Sequence, residues 1–234
     1  MLTRGTKGYG MKIWSDSFTE GDMIPARCAF ADIDPGSHVR LSTNRNPHLA
    51  WDDVPAGTES LVLLCHDPDV PTVGTDVNQE GRTVPSSLPR ADFYHWALVD
   101  IPVCLDNFAE GLFSDMVTPG GKSGPLVPFT IKNGTEHQLR HGVNDYTGWF
   151  ASDPDMVGEY FGYDGPCPPW NDERVHTYVF TLYALDIPRL PLEGRFTGKE
   201  VKLAITGHIL DEARIFGVYT LNPGAIGDLI GQPS

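Results

Sequence analysis

Cysteine is scarce in this chain and poorly placed for pairing. Cys28, Cys65, Cys104 and Cys167 lie far apart with no CxxC pair among the four, which points to reduced thiols and a cytoplasmic location. No apolar run approaches the about 18 residues that a membrane-spanning helix needs. The opening residues, MLTRGTKGYGMKIW, lack the apolar stretch of a secretion signal. Positive charge is also short: 17 Lys and Arg stand against 31 Asp and Glu, for a net charge of −14 and a pI near 4.8. Nucleic acid and bulk anionic membrane both require clustered Lys and Arg, so neither is an expected partner. Neither HxH nor HExxH spacing occurs, and there is no GxSxG elbow. These absences weigh against a metal-dependent hydrolase and a Ser-His-Asp hydrolase, and no cofactor is expected.

What is present describes a compact β-rich chain. At 234 residues and 40% hydrophobic content there is ample material for one core, and all-β domains of this length are common. The 25 Gly and 20 Pro are scattered as punctuation and are not gathered into a linker. We expect residues 1–10 to be an N-terminal extension and residues 11–234 to be a single domain. Two stretches, 72–91 and 119–162, read as long irregular loops. Asn133, in a glycosylation-like triplet, reads as a turn.

The chemistry gathers at strand ends. Residues 61–64 (LVLL) read as a strand covered on both faces, and it runs into Asp67 and Asp69, with Pro68 and Pro71 stiffening the chain. Alternation along FYHWALVD places Phe93, His95, Ala97 and Val99 on one face and Tyr94, Trp96, Leu98 and Asp100 on the other. Along HTYVFTLYALD it places His176, Tyr178, Phe180, Leu182 and Ala184 together. Each time a polar group leads into an apolar row, the pattern of a small pocket at one rim of a sheet. Each residue also has a plainer reading. Asp-Pro is a turn former, and Asp69 suits a loop cap. A histidine or tyrosine on an apolar face is often a core residue with its polar atoms satisfied.

In their order along the chain these segments resemble the phosphatidylethanolamine-binding proteins, especially the bacterial and archaeal members. The matching motifs are Asp67-Pro68-Asp69-Val70-Pro71, His95-Trp96 with Ile101-Pro102, Gly165-Pro166-Cys167-Pro168-Pro169 and His176-Thr177-Tyr178. Ile24-Pro25-Ala26-Arg27, WDDVPAG from Trp51, and Asn144-Asp145-Tyr146 also match. The resemblance covers roughly residues 11–220. It implies an antiparallel β-sandwich with a C-terminal helical segment. It also implies a non-catalytic anion pocket for phosphate-type head groups, lined by Asp67, His95, Gly165, His176 and Tyr178, with Asp69, Pro71, Pro166, Cys167 and Pro168 as its rim. A kinase or protease partner and a homodimer are further implications.

In that pocket both imidazoles are expected to donate to the ligand, with Asp67 raising their pKa values. The N–H of Gly165 or Cys167 would add a donor, and one of Pro166, Pro168 and Pro169 would follow a cis bond. The family's link between its N-D-aromatic and G-P-x-P-P motifs is usually shorter, so residues 150–159 read as an insertion that covers or narrows the pocket. Two alternatives stay open. Two imidazoles and a carboxylate suit Zn²⁺, which would make a metal-dependent hydrolase, and surface loops could make a protein inhibitor. Cys167 is disfavoured as a nucleophile because no helix N-terminus lowers its pKa. One helix is legible: Thr197 and Glu200 form a capping box, and Val201, Ala204, Ile205 and His208 continue at helical spacing. His208 then reads as a packed helix histidine outside the pocket.

Overall fold

The computed structural model describes residues 10–131 and 134–230; most of the expected N-terminal extension, and Asn133, fall outside the described residues. In chain order the strands are β1 (Lys12–Trp14), β2 (Ala31–Asp34), β3 (His38–Leu41), β4 (Leu49–Asp52), β5 (Ser60–Pro71), β6 (Arg90–Ile101), β7 (Asn107–Phe108), β8 (Leu126–Thr130), β9 (Glu136–His141), β10 (His176–Leu185) and β11 (Ile209–Tyr219). The helices are α1 (Tyr146–Trp149), α2 (Gly198–Ala204) and α3 (Pro223–Ile230). The main sheet has six antiparallel strands in the order β11-β10-β5-β6-β9-β8, and a second sheet has the order β1-β4-β7.

The sheets form a sandwich because one face of β5 and β10 supplies a continuous apolar row. Leu61, Leu63 and Cys65 of β5, with Tyr178, Phe180, Leu182 and Ala184 of β10, pack against Leu49, Trp51 and Phe108 of the smaller sheet. The opposite face of the main sheet is also covered. There Val62, Leu64, Ala97 and Val99 meet Phe196, Val201 and Ile205 under α2. Residues 61–64 are thus buried on both faces, as their unbroken apolar run implies.

Strict alternation fails along β6. Cys65 pairs with Trp96 but the next residue, His66, pairs with Tyr94, so His95 is the extra residue of a β-bulge. Phe93 and His95 face the sandwich interior as expected. Beyond the bulge it is Trp96 and Leu98 that face the interior, while Ala97 and Val99 turn to the α2 side. A second shift between Leu61 and Leu63 leaves Asp100 at φ 61°, in the left-handed region that aspartate tolerates better than most residues. Its carboxylate meets Arg140, which also donates to the carbonyls of Leu190 and Leu192.

Residues 119–162 are not one irregular stretch. They contain β8 and β9, which extend the main sheet, and α1. β9 reads EHQLRH, and its buried end carries Arg140 and His141, so no apolar alternation marks it. Residues 150–159 do not cover the pocket. Phe150 stacks on Tyr146 at 5.5 Å between ring centroids, and Met156 packs on the core, so the segment buttresses the pocket wall from behind.

Toward the C-terminus the capping box is present, with Thr197 N–H donating to Glu200 Oε2 at 2.8 Å and Glu200 N–H to Thr197 Oγ1 at 3.3 Å. The helix stops at Ala204, however. Gly207 at φ 88° turns the chain, His208 bonds Asp186 at 2.8 Å in that turn, and β11 follows. His208 is therefore a turn residue and not a packed helix histidine. The cis bond expected among Pro166, Pro168 and Pro169 lies instead at Gly124–Pro125.

Arg140 and Asp100 are both nearly sealed from solvent, at 2% and 7% side-chain exposure. Arg140→Ala leaves the buried Asp100 carboxylate with only the Leu190 N–H and the more distant Arg189, and should cost about 3–5 kcal/mol in urea unfolding. The double variant Arg140→Met with Asp100→Asn should cost clearly less. Equal losses would show that the pair is not what holds this corner.

Candidate ligand-binding site

Three strands of the main sheet end at one rim of the sandwich, and their inward polar residues meet there. On β5 the inward alternation 61, 63, 65 continues to Asp67; on β10 it begins with His176 and Tyr178; on β6 the bulge turns His95 inward. These four residues form the floor of a cleft of about 450 Å³, its open mouth included. Phe93, Tyr146, Trp149 and Val77 make its walls, and Pro71, Cys167, Pro168 and Asn78 its rim. Val77 and Asn78 come from the loop after β5, which does run beside the pocket.

His176 holds the floor together. Its Nδ1 donates to Asp67 at 2.7 Å and its Nε2 to Asp172 at 3.1 Å. Burial opposes its charge, but Asp172 and Asp67 outweigh that and raise its pKa to about 9. His176 is thus a buried imidazolium between two carboxylates. Asp172 is itself gripped by Arg90 through contacts of 2.5 and 3.0 Å. Burial works against Asp172 as well, yet His176 and Arg90 hold its pKa below the usual value. The other oxygen of Asp67 accepts the N–H of Asp69 at 2.7 Å. With both nitrogens committed, His176 has no proton left for a ligand. This corrects the expectation of two imidazole donors.

His95 behaves differently. Its Nδ1 donates to the Asp164 carbonyl at 2.8 Å, which fixes the tautomer and leaves Nε2 with a lone pair and no partner among the described residues. Burial pushes its pKa below the ordinary value, outweighing the pull of Asp67, so the ring is neutral. Asp67 therefore raises only one of the two imidazoles to a charged state. Tyr178 is 1% exposed, and its hydroxyl has no hydrogen-bond partner among the described residues. Burial first, then Asp67, keeps the phenol well above its ordinary pKa and protonated. Burial likewise lifts the Cys167 thiol to about 12, which leaves it uncharged.

Other expected residues lie behind the cleft. Asp69 braces the loop, paired with Arg174 at 3.0 Å and accepting Thr177 N–H at 2.9 Å. Gly165 is buried, its N–H given to Asn44 at 2.8 Å and its carbonyl taken by Tyr146 at 2.7 Å, so it offers no donor to a ligand. Its lack of a side chain is required: a Cβ there would lie 2.2 Å from the Cys28 carbonyl oxygen. The Pro166 carbonyl accepts Phe30 N–H at 2.9 Å, which ties the loop to the core and keeps Pro166 out of the rim.

Asp172, Arg90 and Asp164 were not singled out from sequence. The Asp164 carboxylate, fully buried, receives Asn44 at 2.7 Å, Asn144 at 2.8 Å and Lys122 at 2.7 Å. Its partners come from three distant parts of the chain. The only sequence signal for Asp172 is a carboxylate four residues before a histidine. Among the described residues no group of three or more His, Cys, Asp or Glu side chains is placed to hold a metal ion, and the committed nitrogens of His176 give the Zn²⁺ reading no support.

The raised pKa of His176 has a signed consequence. The folded state holds the proton more tightly than the unfolded chain, so the stabilisation is complete below about pH 6.5 and is lost as pH rises through about 9. Tm should fall across that window, by the equivalent of on the order of 3 kcal/mol. His176→Gln should be less stable at pH 6 and show a flatter profile. A wild-type Tm that holds level between pH 6.5 and 9.5 would refute the buried imidazolium.

Comparison with known proteins agrees with this architecture. A sequence model of the phosphatidylethanolamine-binding protein family matches residues 14–220. A UPF0098 protein of Aquifex aeolicus is 31% identical over 91% of this chain and 90% of its own length. YbhB of Escherichia coli K12 is 30% identical over 90% of this chain and 100% of its own. Among solved structures, the phosphatidylethanolamine-binding protein homologue CT736 of Chlamydia trachomatis superposes with a TM-score of 0.56 at 26% identity, covering 90% of this chain and 97% of that one. YbcL of E. coli shares the fold at a TM-score of 0.61 and 21% identity, over 91% and 99%. No described helix is long and apolar enough to cross a membrane. With the family match spanning nearly the whole chain, and the sandwich and rim cleft in place, this protein belongs to the phosphatidylethanolamine-binding protein family.

Proposed function

We propose that the protein is a non-catalytic binding protein whose rim cleft takes a small phosphate-type head group. The observation that carries this is the Tyr178 hydroxyl, which is buried in the cleft floor with no partner among the described residues. Buried polar groups are nearly always hydrogen-bonded, so an orphan at the base of a cleft marks a place for a ligand atom. Beside it His95 presents an unpartnered Nε2. At the mouth the Asn78 side chain stands within reach of the ligand's outer part.

The electrostatics are workable despite the acidic chain. Asp67 and Asp172 are balanced by His176 and Arg90, so the floor carries no net charge, and exposed carboxylates beyond a Debye length of about 8 Å are screened. A phosphate dianion has only acceptors, as does the Nε2 of neutral His95. Binding must therefore bring in one proton, shared between His95 and the phosphate. Burial holds the proton affinity of free His95 low, and a bound anion raises it.

We place the protein in the cytoplasm because its four cysteines are free thiols. A homodimer and a kinase or protease partner are proposed with it, and the half-exposed Trp149 at the mouth is the surface such a partner would touch first.

The test is phosphoethanolamine titrated into the protein between pH 8 and 7, where the probe stays mainly dianionic because its second pKa is about 6. Affinity should rise as pH falls, by up to about tenfold per unit, with proton uptake visible as a buffer-dependent binding enthalpy. His95→Gln should abolish that pH dependence. Tyr178→Phe should weaken binding by about tenfold or more, the loss of one hydrogen bond to a charged group. If His95 imidazole resonances do not move at saturating probe, the head-group reading fails.

A further inference from the structure

The face of the main sheet opposite the rim cleft carries a second cavity with unspent polar groups. It lies beside α2 and encloses about 540 Å³, its open mouth included. Register builds its floor. Thr181 of β10 pairs with Leu64 of β5 on one side and Arg214 of β11 on the other, and His66 pairs with Tyr94. Directly paired residues project from the same face, so Thr181, Leu64 and Arg214 stand in one row.

One polar group there, the Thr181 hydroxyl, is unusual in lacking a partner among the described residues. Thr181 is 2% exposed, yet its hydroxyl makes no hydrogen bond among the described residues, and the same holds for the ring nitrogens of His66 and the hydroxyl of Tyr94. A residue as buried as Thr181 normally has its hydroxyl bonded, whereas His66 and Tyr94 are half-buried. Here the open space they share is the cavity itself.

Charge supplies the second argument. Lys202 reaches from α2 across the sheet, its Nζ 2.6 Å from the Tyr183 hydroxyl and 4.7 Å above that ring. Among the described residues it has no carboxylate within ion-pair distance, in a chain where acids outnumber bases by 31 to 17. Tyr183 uses one of the three ammonium donors and pins the group over the cavity, leaving two. Arg214 stands at the sheet edge, paired with Glu212. Asp92 lies at the mouth; it limits the negative charge a ligand can carry and would meet an ammonium borne by the ligand.

We infer that this cavity is a second binding site, separate from the family cleft, for a compact oxyanion (a carboxylate or a phosphate) held between Lys202, His66 and the Thr181 hydroxyl. The inference stands on the outer face of the sheet alone and does not depend on what the rim cleft binds.

Imidazole and lysine-ammonium NMR tests it, with sodium acetate and inorganic phosphate as separate probes. His66 and Lys202 signals should move together and saturate below about 100 mM of at least one probe, and the probe that binds more tightly names the source of the oxyanion. Lys202→Gln, an exposed helix position that leaves the core intact, should weaken the His66 response by about tenfold, as should Thr181→Val. Neither variant should alter the His95 response to phosphoethanolamine. A His66 shift that grows linearly without saturation, or unchanged affinity in both variants, overturns the site.

Discussion

The rim of this sandwich depends on a buried imidazolium. His176, fully sealed from solvent, sits between Asp67 and Asp172, and Arg90 closes the row. Charges removed from water are tolerable only when each is paired and hydrogen-bonded. That requirement brings the end of β5, the start of β6, the loop before β10 and β10 itself into one arrangement. It also decides the division of labour within the cleft: His176 and its carboxylates hold the geometry, and the contacts left for a ligand fall to Tyr178, His95 and the apolar walls.

A second layer of support keeps the G-P-x-P-P loop in place. Asp164 exchanges two hydrogen bonds with His95, through its own N–H and carbonyl, while its carboxylate gathers Asn44, Asn144 and Lys122. Asn44, at φ 52°, returns the favour by accepting the N–H of Gly165. The tautomer of His95 and the path of the rim loop are therefore set by the same buried network. A change in Asn44 or Asn144 would reach the cleft without touching a ligand.

The same sheet carries two faces of different character. On the inner face every floor charge is matched, and the groups left without a partner among the described residues are a phenol and a neutral imidazole nitrogen. On the outer face stand a lysine with no carboxylate, and a threonine and a histidine with no hydrogen-bond partner, among the described residues. The bulge at His95 makes this division sharp, because it places Tyr94 and Ala97 on the outer face and both His95 and Trp96 on the inner one.

Much of the cleft could be read from the residues in order. The apolar run ending at Asp67 and the alternation from His176 each require a strand covered on its inner face, and the motif order names the family in which Asp67, His95, His176 and Tyr178 share a pocket. The capping box at Thr197 is equally local, since its two hydrogen bonds span four residues. What tertiary structure alone decided is the state of each group. Alternation cannot foresee the extra residue at His95, because a bulge is defined by the partner strand. β9 and β11 went unread because their strand character rests on pairing with β6 and β10. Asp172, Arg90 and Asp164 gained their roles from partners up to 120 residues away. Whether a histidine is a ligand donor or a structural cation depends on which carboxylates reach it and how much water remains, and folding alone sets both.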